Sequence, residues 1–224
     1  MELRSLIEKG FKASGFDLSP QQRDSLAILL QELERWNRKI NLTGLKSDEA
    51  LVKVLLLGSA AFLSAHTFRA GEKVLDLGSG AGFPGIPLKI LFPEMDLTLL
   101  EANGKKIAFL KHAVRTLKLS EVRCMQGRAE ELGRKEEMRE SFQAVTARAA
   151  GKLGMTLEVA APFIACGGLF ITIKGSSYPA ELEAAMEAAS RVNMEFLRAV
   201  SPPWADRSLH LLVFKKVPTK HFLD

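Results

Sequence analysis

The 224-residue chain predicts an α/β fold, with a mostly parallel seven-stranded sheet, an antiparallel last strand and a helical N-terminal extension. Three observations carry this. From Gly71 onward, short apolar runs alternate with helical patterns, which is the signature of a parallel sheet covered on both faces. The last two apolar runs have no helix between them and so return antiparallel. Before residue 67 every pattern is helical. The expected organisation is a helical subdomain at 1–66 and a sheet domain at 67–224. A composition of 47% hydrophobic and 25% charged residues excludes a disordered chain, a coiled coil and a collagen-like repeat.

Each element has its own signal. Leu3, Leu6, Ile7 and Phe11 fall at helical spacing, and Gly15 ends the pattern. In Ser19-Pro20-Gln21-Gln22, Ser19 can cap, Pro20 suits the first helical position and Gln22 completes a capping box. Leu26, Leu29, Leu30 and Leu33 then mark one apolar face, which Trp36 continues, so Trp36 is expected in the core and the helix should end near Arg38. The loop Asn41-Leu42-Thr43-Gly44 follows. Asn41 fits either a turn or a contact with a ligand pocket. Ser47 caps a third helix whose first turn holds Asp48 and Glu49, where negative charge suits the macrodipole. Strands are expected at 73–77, 97–101, 122–125, 144–146, 169–173, 196–200 and 209–215. Helices are expected at 86–92, 105–117, 153–163 and 179–192, and only the residues 201–208 connect the last two strands.

Several classes of protein can be set aside. The apolar run Val54–Leu63 is interrupted by Gly58 and Ser59 and is too short to span a bilayer. Met1-Glu2-Leu3-Arg4 mixes charges without an apolar core, so no secretory signal is expected. Cys124 and Cys166 stand 42 positions apart, in no metal or redox spacing. These features point to a cytoplasmic protein with reduced thiols. His66, His112, His210 and His221 show no ligand spacing, so no metal site is expected. The formal net charge is +5, but it is localised. Lys105, Lys106, Lys111, Arg115, Lys118, Arg123 and Arg128 crowd into residues 103–128 with only Glu121 opposing them. Such a stretch is either a solvated helix face or a salt-sensitive surface for nucleic acid.

The chemistry concentrates after the first strand, in Asp76-Leu77-Gly78-Ser79-Gly80-Ala81-Gly82-Phe83-Pro84-Gly85. A P-loop needs Lys-Ser/Thr at the helix start, where Phe83-Pro84 stands instead. A dinucleotide fingerprint wants G-x-G-x-x-G, yet Gly78, Gly80 and Gly82 are followed by Phe83, and Pro84 and Pro87 compromise a pyrophosphate-binding helix. A glycine-rich turn without a ligand is a third reading. The fourth is a nucleoside cofactor without a pyrophosphate. Asp76 could accept from that cofactor's amino group or a water. Glu101, 25 positions further on, ends the second strand at the same sheet edge and could take both ribose hydroxyls. The turn Gly127-Arg128-Ala129-Glu130 could read the adenine edge through backbone groups of Ala129 and Glu130. S-adenosylmethionine fits, being a nucleoside with no phosphates.

The same residues resemble a known family. Trp36-Asn37, Asn41-Leu42-Thr43 and Gly78-Ser79-Gly80-Ala81-Gly82-Phe83-Pro84-Gly85-Ile86-Pro87 are similar to the bacterial 16S rRNA guanine-N7 methyltransferases, the glucose-inhibited division protein B family. Glu101-Ala102-Asn103-Gly104-Lys105-Lys106, Gly127-Arg128-Ala129-Glu130-Glu131, Ala147-Arg148-Ala149 and Lys174-Gly175 extend the resemblance over almost the whole chain. It implies a class I (Rossmann-like) methyltransferase fold dependent on S-adenosylmethionine. It implies, as substrate, a guanosine at position 527 in the 530 loop of 16S rRNA, offered as rRNA or as a small-subunit particle. Carried over, the cofactor site would include Gly78, Phe83, Ala129, Glu130 and Arg148, beside Gly80, Gly82 and Glu101 of the reading above. Arg128, Arg148 and Lys174 resemble the basic residues that matter to activity, as phosphate clamps or as donors to guanine O6. The family often carries His-x-x-Asp-Ser in its third N-terminal helix, where this chain has Leu55-Leu56-Leu57-Gly58-Ser59. A monomer is expected. The rival readings are a non-catalytic assembly factor that binds S-adenosylmethionine or RNA, a methyltransferase for another acceptor, and an NAD-linked oxidoreductase.

Overall fold

The computed structural model describes residues 2–148, 151–205 and 208–218. Ala149 of the Ala147-Arg148-Ala149 run, Asp206 and Arg207 of the 201–208 connection, and His221 lie outside the described residues. Helix α1 (Leu3–Ala13) buries Ile7 and Phe11. Helix α2 (Pro20–Asn37) opens with the expected capping box: the Gln22 N–H donates to Ser19 Oγ at 3.2 Å, and the Ser19 N–H donates to Gln22 Oε1 at 2.9 Å. Two orphan donors are thereby satisfied at one turn. Ser47 caps the third helical stretch through the Ala50 N–H. That stretch runs as α3 (Asp48–Ala50), a π-helical segment (Leu51–Leu57), α4 (Gly58–Ala60) and a 3-10 turn (Ala61–Ser64). A plain α-helix was expected here. The π-helical turn is wider, each N–H reaching five residues back.

The sheet has seven strands: β1 (Lys73–Leu77), β2 (Asp96–Glu101), β3 (Val122–Gln126), β4 (Phe142–Ala147), β5 (Ile164–Lys174), β6 (Met194–Val200) and β7 (His210–Lys216). Their order is β3-β2-β1-β4-β5-β7-β6. β7 lies antiparallel between β5 and β6, and the first five strands pair parallel. Helices α5 (Gly85–Leu91), α6 (Gly104–Thr116), α7 (Ala129–Leu132), α8 (Leu153–Ala160) and α9 (Tyr178–Arg191) connect them. The fold class is therefore the one expected. β5 starts five residues earlier than its apolar run suggests: Ile164 already pairs with Phe142, and the register then shifts across Cys166, Gly167 and Gly168 before Leu169 pairs with Ala144.

Alternate strand residues feed two cores, as the period-2 pleat requires. On one face Val74, Leu97, Leu99 and Ala144 meet α5, α6 and the N-terminal helices, which contribute Phe11, Leu26, Leu30, Leu33 and Phe62. On the other face Leu75, Leu100, Val145 and Phe170 meet α8 and α9 through Leu153, Leu157, Ala185 and Ala189. The helical segment is thus a roof over one face of the sheet. Trp36 packs on Phe109 and His112, with ring centroids 5.8 and 5.2 Å away, and His112 Nε2 lies 2.7 Å from Glu32 Oε2. At the C-terminal side, Trp204 packs edge-on against Phe16 at 5.3 Å.

The shared core makes a prediction about the segment 1–66. Leu30 is fully buried in it, so Leu30→Ala should cost about 2–5 kcal/mol. The expected result is one transition at a lower midpoint, with far-UV circular dichroism and tryptophan fluorescence coincident. A separate early transition reported by fluorescence alone would show that the helical segment unfolds by itself.

Candidate active site

The strand ends of the parallel part of the sheet open into a cleft of about 490 Å³, within the usual range for small-molecule sites. Leu77 and Gly78 line it after β1, and Glu101 and Ala102 after β2. The turn after β3 adds Gly127, Arg128, Ala129 and Glu130, and β4 adds Ala147 and Arg148. Six of the expected site residues (Gly78, Glu101, Arg128, Ala129, Glu130 and Arg148) therefore meet in one place. Met155, Thr156 and Val159 of α8 close the far wall. Sequence reasoning missed these three, because nothing in an amphipathic helix marks which turn overhangs a ligand site.

The glycine loop is shaped from below. Gly78, Gly80 and Gly82 all have positive φ, between 57° and 86°, a region glycine enters without steric cost. The Gly80 N–H donates to Glu101 Oε2 at 2.9 Å, and the Asn103 N–H donates to Glu101 Oε1 at 2.8 Å. Each carboxylate oxygen carries two acceptor sites, so both keep one for ribose hydroxyls. The donor set therefore fits a nucleoside. Ala129 and Glu130 open α7, where first-turn N–H groups have no partner inside the helix. Gly80 and Gly82 shape the loop without lining the cleft. Phe83 lies elsewhere: it is only 5% exposed and belongs to the core beneath the helical roof.

Asp76 is not at the surface of the cleft. It is fully buried, with Oδ2 accepting from the Gly85 N–H at 3.2 Å and Oδ1 accepting from the Thr146 hydroxyl at 3.1 Å. Its carboxyl is spent on the protein rather than on a cofactor amino group. Burial pushes its pKa up to about 6, against the lowering influence of Gly85, Thr146, Ser79 and the charge of Arg148. A Cβ at Gly85 would stand 2.6 Å from Leu99 Cδ2 and 2.9 Å from Asp76 Oδ2, which explains why this position admits no side chain.

Arg148 reaches from the cleft into the helical roof. Its Nη2 donates to the Val54 carbonyl at 2.7 Å, and a Cβ at Gly58 would lie 3.4–3.7 Å from the guanidinium. Nη1 is buried with no protein acceptor. Burial lowers the Arg148 pKa, and the charge of Asp76 opposes that shift. Among the described residues no salt bridge is made by Arg148 or by Arg128. Lys174, by contrast, lies outside the cleft: it is 8% exposed, donates to the Gly151 carbonyl at 2.9 Å and pairs with Glu181 Oε2 at 2.9 Å. Asn41 is exposed and also stands apart from the cleft. Asn37 is what folds its loop, accepting from the Leu42 and Thr43 N–H groups and donating to the Thr43 carbonyl. No group of three or more potential metal ligands occurs among the described residues.

The raised pKa of Asp76 predicts a pH effect with a definite sign. A carboxyl that titrates near 6 when folded and near 4 when unfolded stabilises the fold in its protonated form, and that contribution is lost as pH rises. Stability measured against Asp76→Asn by denaturant titration should fall by about 2 kcal/mol between pH ~4 and pH ~7. A difference that stays flat over this window would remove the assignment.

Comparison with known proteins agrees with this geometry. Residues 22–209 match the model of the GidB family, rRNA small subunit methyltransferase G. The chain is 43% identical over 221 residues to ribosomal RNA small subunit methyltransferase G of Caldanaerobacter subterraneus subsp. tengcongensis, covering 96% of this chain and 92% of that one. It is 33% identical over 226 residues to the protein of the same name from Alkaliphilus metalliredigens, covering 99% and 95%. Among solved structures, a SAM dependent methyltransferase from Aquifex aeolicus superposes with a TM-score of 0.58 at 13% identity, over 75% of this chain and 93% of that one. TYW2 of M. jannaschii, solved in complex with AdoMet, superposes at 0.52 with 17% identity, over 70% and 73%. These two likenesses show the fold. The match of most of the chain to one family model, together with relatives above 30% identity along nearly its whole length, shows that it belongs to the rRNA small subunit methyltransferase G (GidB) family.

Proposed function

We propose that the protein transfers a methyl group from S-adenosylmethionine to N7 of a guanosine in small-subunit 16S rRNA, at position 527 of the 530 loop. The observation that carries this is one cleft lined both by Glu101, poised for a ribose, and by Arg148. Family membership disfavours both the nicotinamide reading and the non-catalytic one. No helix of the described chain is long and apolar enough to cross a membrane. We infer a cytoplasmic site of action, where the rRNA is, and a monomer, since one chain supplies every wall of the cleft.

When bound, S-adenosylmethionine supplies an electrophilic methyl carbon on a sulfonium. The residues that would hold it are Glu101, the Gly78 turn and the backbone of Ala129 and Glu130. Phe83 would act from below, by packing under the loop. Guanine N7 carries an exposed lone pair, so this chain needs no general base, and the cleft lining contains no His or Cys. The protein's task is positioning, which can supply roughly 7–11 kcal/mol of a barrier. Arg148 donates to guanine O6 beside N7, the geometry by which arginine reads guanine edges. Its charge opposes the positive charge that develops on the base, so its contribution is orientation. Arg128, exposed at the rim, holds a phosphate. The basic stretch extends this rim: Lys111, Arg115 and Lys118 are exposed and make no salt bridge among the described residues. A single-stranded loop suits such a surface, because its bases can be splayed into the cleft.

Three measurements test this reading. With labelled S-adenosylmethionine and small-subunit rRNA or particle, the label should appear as N7-methylguanosine at one position. Arg148→Ala should lower kcat/KM by roughly 10- to 100-fold; near-normal turnover would sink its role. RNA affinity should fall steeply with salt, and the triple change Lys111→Gln, Arg115→Gln, Lys118→Gln should reduce the log–log slope by about 2. An unchanged slope would place the RNA elsewhere.

A further inference from the structure

Lys174 ends β5 and does not line the cleft. Two of its donors are spent on the protein, one on the Gly151 carbonyl and one on Glu181 Oε2, each at 2.9 Å. An almost buried ammonium is costly unless it is paired and hydrogen-bonded, and Glu181 provides the pairing. Glu181 sits in the first turn of α9. That turn is itself fixed to the end of β5 by the Tyr178 N–H donating to the Gly175 carbonyl at 3.0 Å. Gly151 is the third residue after Arg148 and the second before α8, the helix that presents Met155, Thr156 and Val159 to the cleft. Thr156 is tied back to the same segment, its N–H and its hydroxyl both donating to the Lys152 carbonyl at 3.1 Å.

We propose that Glu181 and Lys174 are positioning residues: the pair fixes Gly151, and with it the first turn of α8 that faces the cleft, and neither side chain touches RNA or cofactor. This rests on the methyl-transfer reading for its functional consequence and on the Lys174–Gly151–Glu181 contacts for its structural one. A lysine that clamped a phosphate would keep its charge available, whereas the charge here is matched by the half-buried carboxylate of Glu181.

The experiment compares Glu181→Gln, Lys174→Met and Lys174→Arg in the full chain. It reads cofactor affinity, kcat, the salt slope of RNA binding and amide hydrogen exchange over residues 151–156. The first two variants should lower kcat by roughly 10- to 100-fold and speed exchange over 151–156, with cofactor affinity and salt slope unchanged. Lys174→Arg, which keeps a donor and a charge, should retain most of the activity and folds even if the methionine variant does not. The proposal is overturned if Lys174→Met lowers the salt slope by about 0.7, one phosphate contact, while Glu181→Gln leaves kcat at the wild-type value. It is also overturned if exchange over 151–156 is the same in all four proteins. Failure of the wild type to methylate rRNA would instead strike the functional reading, and the exchange measurement would still decide the strap.

Discussion

The carboxylate of Asp76 is fully buried, and the geometry of the strand ends is arranged around it. It joins three elements: β1, which carries it; β4, through the Thr146 hydroxyl; and the start of α5, through the Gly85 N–H. Glycine at 85 lets α5 approach closely enough for that bond, and the Ser79 hydroxyl donates to the carbonyl of the same aspartate at 2.8 Å. The loop above is consequently held by hydrogen bonds at Ser79, Gly80 and Gly85. Glu101 completes the arrangement from the next strand by accepting the Gly80 N–H. Two acidic residues therefore do different work, one inside the protein as a fastener and one at the rim as an acceptor. Burial separates the roles.

Much of this was legible in the residues. The strand and helix runs could be placed because periodicity changes from 3.6 to 2 near residue 71, and the capping signals at Ser19 and Ser47 are local chemistry. The glycine loop and Glu101 were legible for the same reason: strand-end glycines and a spaced carboxylate have few structural explanations. Asp76 was misplaced because a short motif does not say which of its acidic residues faces inward. The π-helical turn at Leu51–Leu57 was invisible, since Leu51, Val52, Leu55 and Leu56 fit an ordinary amphipathic helix equally well. Long-range partners escaped entirely. Neither the reach of Arg148 to the Val54 carbonyl nor the pairing of Lys174 with Glu181 has a spacing signature, because each depends on how separate elements pack.

The contact between Arg148 and the roof gives the helical segment a part in the site as well as in the core. Val54 and Gly58 belong to the third helical stretch, and they are what the guanidinium touches outside the cleft. Gly58 borders that guanidinium, and a Cβ there would already be in van der Waals contact with it. The departure Leu55-Leu56-Leu57-Gly58-Ser59 thus has a structural meaning in this chain: its glycine borders the arginine, while Leu55 and Leu56 join the core.

The place of β7 between β5 and β6 has a consequence for the order in which the fold can close. β6 has no neighbour in the sheet except β7, and β7 is made after it. While the chain is being synthesised, β5 and β6 each present an unpaired edge, and such edges template association with other chains. The parallel strands β1 to β5 and both walls of the cleft precede that moment in the sequence. The cleft can therefore assemble before the sheet is complete, and the final strand acts as a bolt: its arrival pairs with β5 and with the inner edge of β6 at once, leaving β6 and β3 as the outer strands.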